Sequence, residues 1–476
     1  MLTALSLPIP LRTSILLAGL LAGGCAVGPD YKRPEIATPP AWQAPTPHDS
    51  QNATLIDWWA RFNDPVLTQL QGWAEQDSPT LDQAVARIAQ ARANLRTSQA
   101  GGLPSVTGSA SYSEAGQEMN SGGQSFQTVA GGEQGSLDAS WEIDLWGKVR
   151  RGNEAARARI EARIDDWHDA RVSLAAEVAD TYMQYRGCEQ LVDIYRQQAS
   201  SQTETARLTR INANAGFTAP ADAELAEASA ASTRSSATDQ ASQCDLLVKS
   251  LVSLTAQEEP ALRALLEPGK ATLPPAPLFE VTSVPADVLR QRPDVASSER
   301  ELAAASAEIG VATADLYPSL SLTGSLSANN QMTQWSFGPS ISLPIFDGGR
   351  ARAGVASARG AYDLQFASWR QTVRTAVLDV EQALVRLGAA RSREQDAARA
   401  AQGYQSNFNA IDQLQRAGNA SMIDRESARR NALDAERSLV SLRITQAREW
   451  IALYKALGGG WQSDTQTLIS NGDKRP

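Results

Sequence analysis

Two periods of hydrophobic and polar residues follow one another along this chain, and the succession occurs twice. Leu81, Ile88 and Leu95 recur every seven residues between Pro79 and Pro104, as do Val295, Leu302 and Ile309 between Pro293 and Pro318. That spacing is the seam of packed helices and predicts a helix of about 25 residues, closed by proline, in each place. A period of two comes next. "SLSLTGSLS" sets Leu320, Leu322 and Leu326 against Ser321, Thr323 and Ser325. "WSFGPSISLPIF" sets Trp335, Phe337, Ile341, Leu343 and Ile345 against Ser336, Ser340 and Ser342. In the earlier copy Leu137, Ala139, Trp141, Ile143 and Leu145 oppose Asp138, Ser140, Glu142 and Asp144. Such alternation predicts strands with one apolar and one polar face. The helical period then returns for much longer. Val149 to Ala213 and Arg350 to Gln413 contain no proline, and Val373, Val377, Val380, Leu384 and Leu387 keep to one face. At 1.5 Å per residue these helices reach roughly 95 Å, too long for an ordinary compact domain.

The doubling is a tandem duplication. Residues 79–104 align on 293–318 without a gap at an offset of 214, and further on the offset is 202, setting Trp167 on Trp369, Val178 on Val380, Gly216 on Gly418 and Asp222 on Asp424. The difference is expected in a longer Gly/Ser-rich loop of the first copy, "EAGQEMNSGGQSFQTVAGGEQG". Strands of about ten residues with one apolar face suit a transmembrane barrel, although a half-buried soluble sheet alternates in the same way. Four strands cannot close a membrane barrel, which begins at about eight. An open edge in lipid leaves backbone groups unpaired at a cost of several kcal/mol each. If the strands span a membrane, copies of the chain must pool them, and three copies would make twelve.

The long helices are interrupted at matching places. In "AGNASMIDRESA" (417–428) Gly418 and Asn419 break the pattern, and Gly216 does the same in the first copy. An antiparallel pair folded at Gly216 sets residues equally far from the turn level with each other. Cys188 and Cys244 are such a pair. They are expected to form a disulfide, the alternative being two buried thiols.

Composition removes whole classes of function. A net charge of −9 is wrong for nucleic acid, whose phosphates need a basic footprint. The two histidines, His48 and His168, make no metal-ligand spacing, and no phosphate-binding loop or nucleophile elbow occurs, so no enzyme, cofactor or metal is expected. The opening "MLTALSLPIPLRTSILLAGLLAGGC" has Arg12, an apolar run from Ile15 to Leu21 and small residues before Cys25, the layout of an export signal. Ala22, Gly23 and Gly24 resemble a bacterial lipobox, although Leu21 lies one place early. Cys25 is therefore the expected lipidation site, carrying a diacylglycerol and an acyl chain, with a plain signal peptide and chance cysteine as the alternative. Export also puts Cys188 and Cys244 in an oxidising compartment.

Five further stretches share one order in a known family: "CAVGPDYKRP", "WWARFNDPVLTQL" (58–70), "WEIDLWGKVR" (141–150), "LRQRPDV" (289–295) and "LPIFDGGR" (343–350). Together they make the chain resemble the outer-membrane efflux lipoproteins, the channel components of tripartite resistance-nodulation-division pumps. The resemblance implies a mixed fold of helix and transmembrane strand. A homotrimer would share a twelve-stranded β-barrel, continuous with a long periplasmic α-helical coiled-coil barrel and girdled by a mixed α/β equatorial belt. It implies a signal peptide over 1–24, an extended strap over 25–62, repeat one over 63–258, a linker over 259–283, repeat two over 284–460 and a disordered tail over 461–476. Trp141, Trp335 and Phe337 would be lipid-facing or interfacial aromatics. Implied partners are a periplasmic adaptor, an inner-membrane pump and outer-membrane lipid. The resemblance also puts the periplasmic gate at Ile423 and Asp424, with Ser427 where a second acid is usual. Asp424 could instead only cap the restarting helix, as Asp222 would. Gly216, Phe217, Thr218, Gly418, Asn419 and Ala420 resemble the tips that receive the adaptor, the alternative for each glycine being plain helix termination. A type I secretion channel, a poreless periplasmic scaffold and a metal-specific efflux channel are the competing readings.

Overall fold

The computed structural model describes residues 26–35, 42–44, 58–121, 124–275, 289, 291–329 and 332–459. The signal peptide, Cys25, most of the strap, the linker beyond residue 275 and the tail lie outside them. A 3-10 turn at Trp59–Phe62 precedes helices α1 (Pro65–Gln76) and α2 (Pro79–Ala100). Strands β1 (Ser105–Ser121) and β2 (Gln124–Ile143) lead to α3 (Lys148–Asn214), α4 (Pro220–Thr255) and α5 (Glu259–Leu266). The pattern repeats as α6 (Pro293–Ala314), β3 (Ser319–Asn329), β4 (Thr333–Ser342), α7 (Arg350–Arg416) and α8 (Met422–Ala456). Both long helices, α3 and α7, have 67 residues, roughly 100 Å each. Among the described residues no helix is long and apolar enough to cross a membrane. The chain divides into two compact units, one of Met1–Glu35, Ala86–Ile164 and Ser297–Gln371, the other of Ile36–Val85, Asp165–Ala296 and Thr372–Pro476.

The first unit holds one antiparallel sheet in the order β1-β2-β3-β4. Here the expected Gly/Ser-rich loop is corrected. Pairing runs without a break from Ser105↔Ser140 to Ser121↔Gln124, so that segment lengthens the strands, to 17 and 20 residues against 11 and 10 in the second copy. Gly, Ser and Gln carry no apolar alternation, but the ladder joins backbone groups and is indifferent to that. Residues directly opposite in the ladder share a face. Leu137 faces Leu326, Trp141 faces Leu322 and Leu326 faces Trp335, building an apolar face. It stands open in this chain: Trp335, Phe337 and Ile341 are about three-quarters exposed. The other face is polar, with Ser109 Oγ and Ser136 Oγ 2.8 Å apart, as are Ser325 Oγ and Ser336 Oγ. β4 ends at Ser342, short of Leu343 and Ile345.

Below the sheet, Trp146 stacks on Tyr317 at 4.7 Å and its Nε1 donates to the Pro318 carbonyl. The described start of the strap is pinned there. Val27 N donates to the Trp146 carbonyl, and Arg151 donates to the Val27 carbonyl and to Asp30. Gly28, at φ +94°, lies so close to α6 that a Cβ would sit 2.4 Å from Gly310 Cα. Only glycine at both positions permits this approach. Helices α3 and α6 meet through Ala155, Ala158, Ala303, Ala304 and Ala307. Ion pairs flank that seam: Lys148–Asp315 at 2.7 Å, Arg300–Glu161 at 3.2 Å, Arg159–Glu308 and Arg163–Glu301.

The second unit is built on Trp58, Leu67, Leu70, Met183, Val248, Leu251, Leu262, Val380, Leu384 and Trp450. Two buried arginines bind its irregular parts to the helices. Arg186, 1% exposed, donates to Tyr182 Oη, Glu189 and the carbonyls of Leu266 and Pro268, and Tyr182 in turn donates to the α1 cap Asp64. Arg292, from "LRQRPDV", donates to Asp294, Asp379 and the carbonyls of Ala376 and Ala456. A buried guanidinium is tolerated only when its donors are met in this way; removing a partner costs roughly 3–5 kcal/mol.

Candidate functional site

The two helical turns are built alike. Phe217 N donates to the Asn212 carbonyl and Gly216 N to Ala213; Asn419 N donates to Leu414 and Gly418 N to Gln415. This is the Schellman end, which needs a left-handed residue. Gly216 and Gly418 supply it at φ +81° and +79°. The helix restarts are not alike. In the first turn Ala219 is the N-cap of α4 without a side-chain hydrogen bond, and Pro220 opens the helix. In the second, Ser421 caps α8 and Asp424 closes a capping box. Asp424 N donates to Ser421 Oγ at 3.1 Å, while Ser421 N and Oγ donate to Asp424 Oδ2 at 3.2 and 2.7 Å. The Ser421 side-chain and backbone bonds hold the Asp424 carboxyl below the usual aspartate range. Asp424 thus acts at the third helical position and Ser421 at the cap. Asp222 is exposed in the first turn of α4 and its own N–H bonds to Ala219.

Ile423 is 70% and Phe217 82% exposed, two isolated apolar side chains at the ends of the hairpins. Ser427 and Ala420 are half-buried and Asn419 is exposed. Thr218 Oγ1 is buried without a hydrogen bond. Behind the second turn Asp412 binds Arg416 at 2.8 Å and Arg425 at 2.5 Å, chiefly the Arg425 bond lowering its pKa. Arg425 and Arg429 both lie over the Phe408 ring.

Four contacts tie the hairpins together. Glu426, 7% exposed, accepts from Ser201 Oγ at 2.8 Å and Thr205 Oγ1 at 3.0 Å. Arg437 donates to Tyr195 Oη at 3.1 Å, and Arg448 pairs with Asp180 at 2.7 Å. Ile444 fills the space beside Gly187, where a Cβ would be 2.1 Å from Ile444 Cγ1. Within the first hairpin, Cys188 and Cys244 are joined by a disulfide. Glu426, Ser201, Thr205 and Ser421 were not singled out from the sequence. "SMID", a serine three residues before an acid, signals the capping box, but the Glu426 tie spans more than two hundred residues and leaves no local trace.

His168 is pushed down to about 4 by burial and by Arg171, and no group of His, Cys, Asp and Glu among the described residues could hold a metal.

Comparison with known proteins bears on the same elements. A family model described as outer membrane efflux protein matches residues 71–257 and 284–459. Nodulation protein T of Rhizobium leguminosarum bv. trifolii is 31% identical, over 93% of this chain and 96% of its own. The toluene efflux pump outer membrane protein TtgC of Pseudomonas putida is 29% identical, over 95% and 96%. The solved outer-membrane channel OprN is 31% identical with a TM-score of 0.80, covering 92% of this chain and all of that one.

Proposed function

This chain belongs to the outer membrane efflux protein family, and from that premise we propose that it is the exit duct of a tripartite pump. It is an outer-membrane channel protein of a Gram-negative bacterium that extends into the periplasm, and it is not an enzyme. In the proposed assembly three copies pool their strands into one twelve-stranded barrel. The observation that carries this is the sheet, with its open apolar face, its Ser-rich opposite face and two unpaired edges, β1 and β4. An apolar face suits lipid, a polar one suits a water-filled lumen, and closure removes the edges. The hairpins of α3–α4 and α7–α8 form the periplasmic tunnel, girdled by the segments bound to Arg186 and Arg292. Acyl chains on Cys25 anchor the mature N-terminus in the membrane.

The tunnel closes at the second turn. Three copies of Ile423 form an apolar constriction and three Asp424 carboxylates an acidic ring that draws cations and repels anions. Ser427 contributes no second acid. The tips at Gly216, Phe217, Thr218, Gly418, Asn419 and Ala420 receive the hairpins of a periplasmic adaptor, which joins the channel to an inner-membrane proton-driven pump. That pump selects the cargo. With one relative named for toluene efflux, small organic molecules are the cargo class carried over to this chain.

The test is conductance of the purified full-length protein in planar bilayers. Ile423→Ala should raise the closed-state conductance. Asp424→Gln, which keeps a hydrogen-bonding partner for Ser421, should reduce cation preference. Unchanged conductance and selectivity in both variants would remove the gate from this turn, and absence of any channel would overturn the duct.

A further inference from the structure

We infer that the chain beyond Gly459 folds back onto the second unit and seats Trp461 in a cavity between α1, α3 and the end of α8. The inference goes beyond the duct proposed above and does not depend on it.

The cavity has a volume of about 350 Å3. Ala74 of α1 and Leu174, Ala175 and Val178 of α3 give it an apolar floor. Trp59 and Tyr454 form an aromatic wall, their ring centroids 4.6 Å apart and set edge to face. At the mouth Glu75 and Arg171 join α1 to α3 by an ion pair of 2.5 Å, each side chain half exposed. Burial keeps His168, in the same wall, uncharged at neutral pH. Gln71 also lines the cavity, and its Nε2 is buried without a hydrogen-bond partner among the described residues. An unpaired buried donor is costly, so this one calls for an acceptor from outside them.

The end of α8 delivers that acceptor. Gly458 N donates to the Lys455 carbonyl and Gly459 N to the Tyr454 carbonyl, a Schellman end. Both glycines are left-handed, at φ +89° and +67°. Tyr454 Oη donates to the Gly459 carbonyl and holds the turn down. Gly459 is pressed against α3, where a Cβ would sit 2.5 Å from Val172 Cγ1. Gly459 and Val172 are themselves part of the cavity wall. The chain therefore leaves α8 at the cavity itself.

Two residues further on comes Trp461, the only aromatic residue between 460 and 476. Two residues of extended chain span roughly 7 Å, which brings its side chain within reach of the aromatic wall. Tryptophan joins a broad apolar body to a single N–H donor. The floor suits the first, and the Glu75 carboxylate at the mouth suits the second. A carbonyl of the tail then meets the Gln71 amide. Seated so, Trp461 clasps the C-terminal end of α8 to α1 and α3, at the opposite end of that helix from Ile423.

Hydroxyl-radical footprinting of the purified full-length protein, read by mass spectrometry at single tryptophans, tests the seat. Trp461 should be oxidised at least tenfold more slowly in the folded protein than after unfolding in guanidinium. Ala175→Phe fills the floor from a half-buried position on α3 and should bring Trp461 to within twofold of the unfolded rate. Ala175→Ser should leave it protected. Trp461→Ala empties the seat without altering its walls and should speed oxidation of Trp59 severalfold. Rapid oxidation of Trp461 in the unsubstituted protein would overturn the proposal. So would protection that Ala175→Phe leaves intact, because Trp461 would then be buried elsewhere. Should Ala175→Phe not fold, an unchanged Trp59 rate in Trp461→Ala overturns the seat. The rival occupant is a small aromatic molecule, and indole separates the two. Indole should raise the melting temperature of Trp461→Ala and leave the unsubstituted protein unchanged. Equal effects on both would make the cavity an open small-molecule site and overturn the tail as its occupant.

Discussion

Replacing Glu426 with alanine removes the carboxylate that bridges Ser201 and Thr205, and the consequence can be sized. A hydrogen bond to a charged group contributes about 1.5–3 kcal/mol, so the two bonds together contribute roughly 3–6 kcal/mol gross. Two terms offset this. The freed hydroxyls can turn back onto carbonyls of their own helix, and the variant no longer buries a carboxylate. The net loosening of α8 from α3 is then about 2 kcal/mol per chain, close to a thirtyfold shift in the docking equilibrium. Amide exchange by mass spectrometry on the detergent-solubilised protein should show it, with peptides spanning 420–430 exchanging tens of times faster and those spanning 350–370 unchanged. A double-mutant cycle with Ser201→Ala and Thr205→Val isolates the tie and should return a coupling of about 1–3 kcal/mol. Exchange within twofold of the parent, or a coupling near zero, would refute the assignment.

Three other perturbations have defined outcomes. Gly187→Val drives a branched side chain into Ile444, costing about 1–3 kcal/mol in thermal unfolding, and Ile444→Ala should restore most of it. Removing the disulfide with Cys188→Ser and Cys244→Ser releases a separation of 56 residues. The chain-entropy relation assigns that about 4 kcal/mol, to be read as a lower melting temperature with conductance unchanged. The Asp424 capping box should respond to pH with a definite sign. Its folded pKa is depressed, so its contribution is complete above the ordinary aspartate pKa and fades as pH falls through the lower folded value. Ser421→Ala should move the onset of pepsin cleavage near residue 420 to higher pH.

Much of the architecture was legible because it is periodic and doubled. Leu81, Ile88 and Leu95 announce a helix seam through spacing alone, and the match of Gly216 to Gly418 identifies two turns of the same kind. Equal distance from a turn set Cys188 level with Cys244, since antiparallel helices share one rise per residue. Legibility failed where the side chains carry no periodic signal. Residues 114–121 and 124–135 look like a loop because Gly, Ser and Gln neither alternate nor repel water, yet backbone pairing makes them strand. Nor could sequence show that Arg186 gathers Tyr182, Glu189 and two carbonyls near residue 267, or that Glu426 meets Ser201. Those partners are brought together by the fold.

The sheet also sets a time limit on the cell. A newly exported copy presents a greasy surface and two strand edges able to recruit any extended peptide, until lipid and, in the proposed assembly, a sister chain cover them. Its free form is therefore a hazard whose danger grows with residence time in the periplasm. Assembly must outrun misassociation, either through chaperones that shield the strands or through synthesis slow enough to keep lone copies scarce. In the proposed assembly the stability of the finished channel is accordingly a property of how many copies are present as much as of how each one folds.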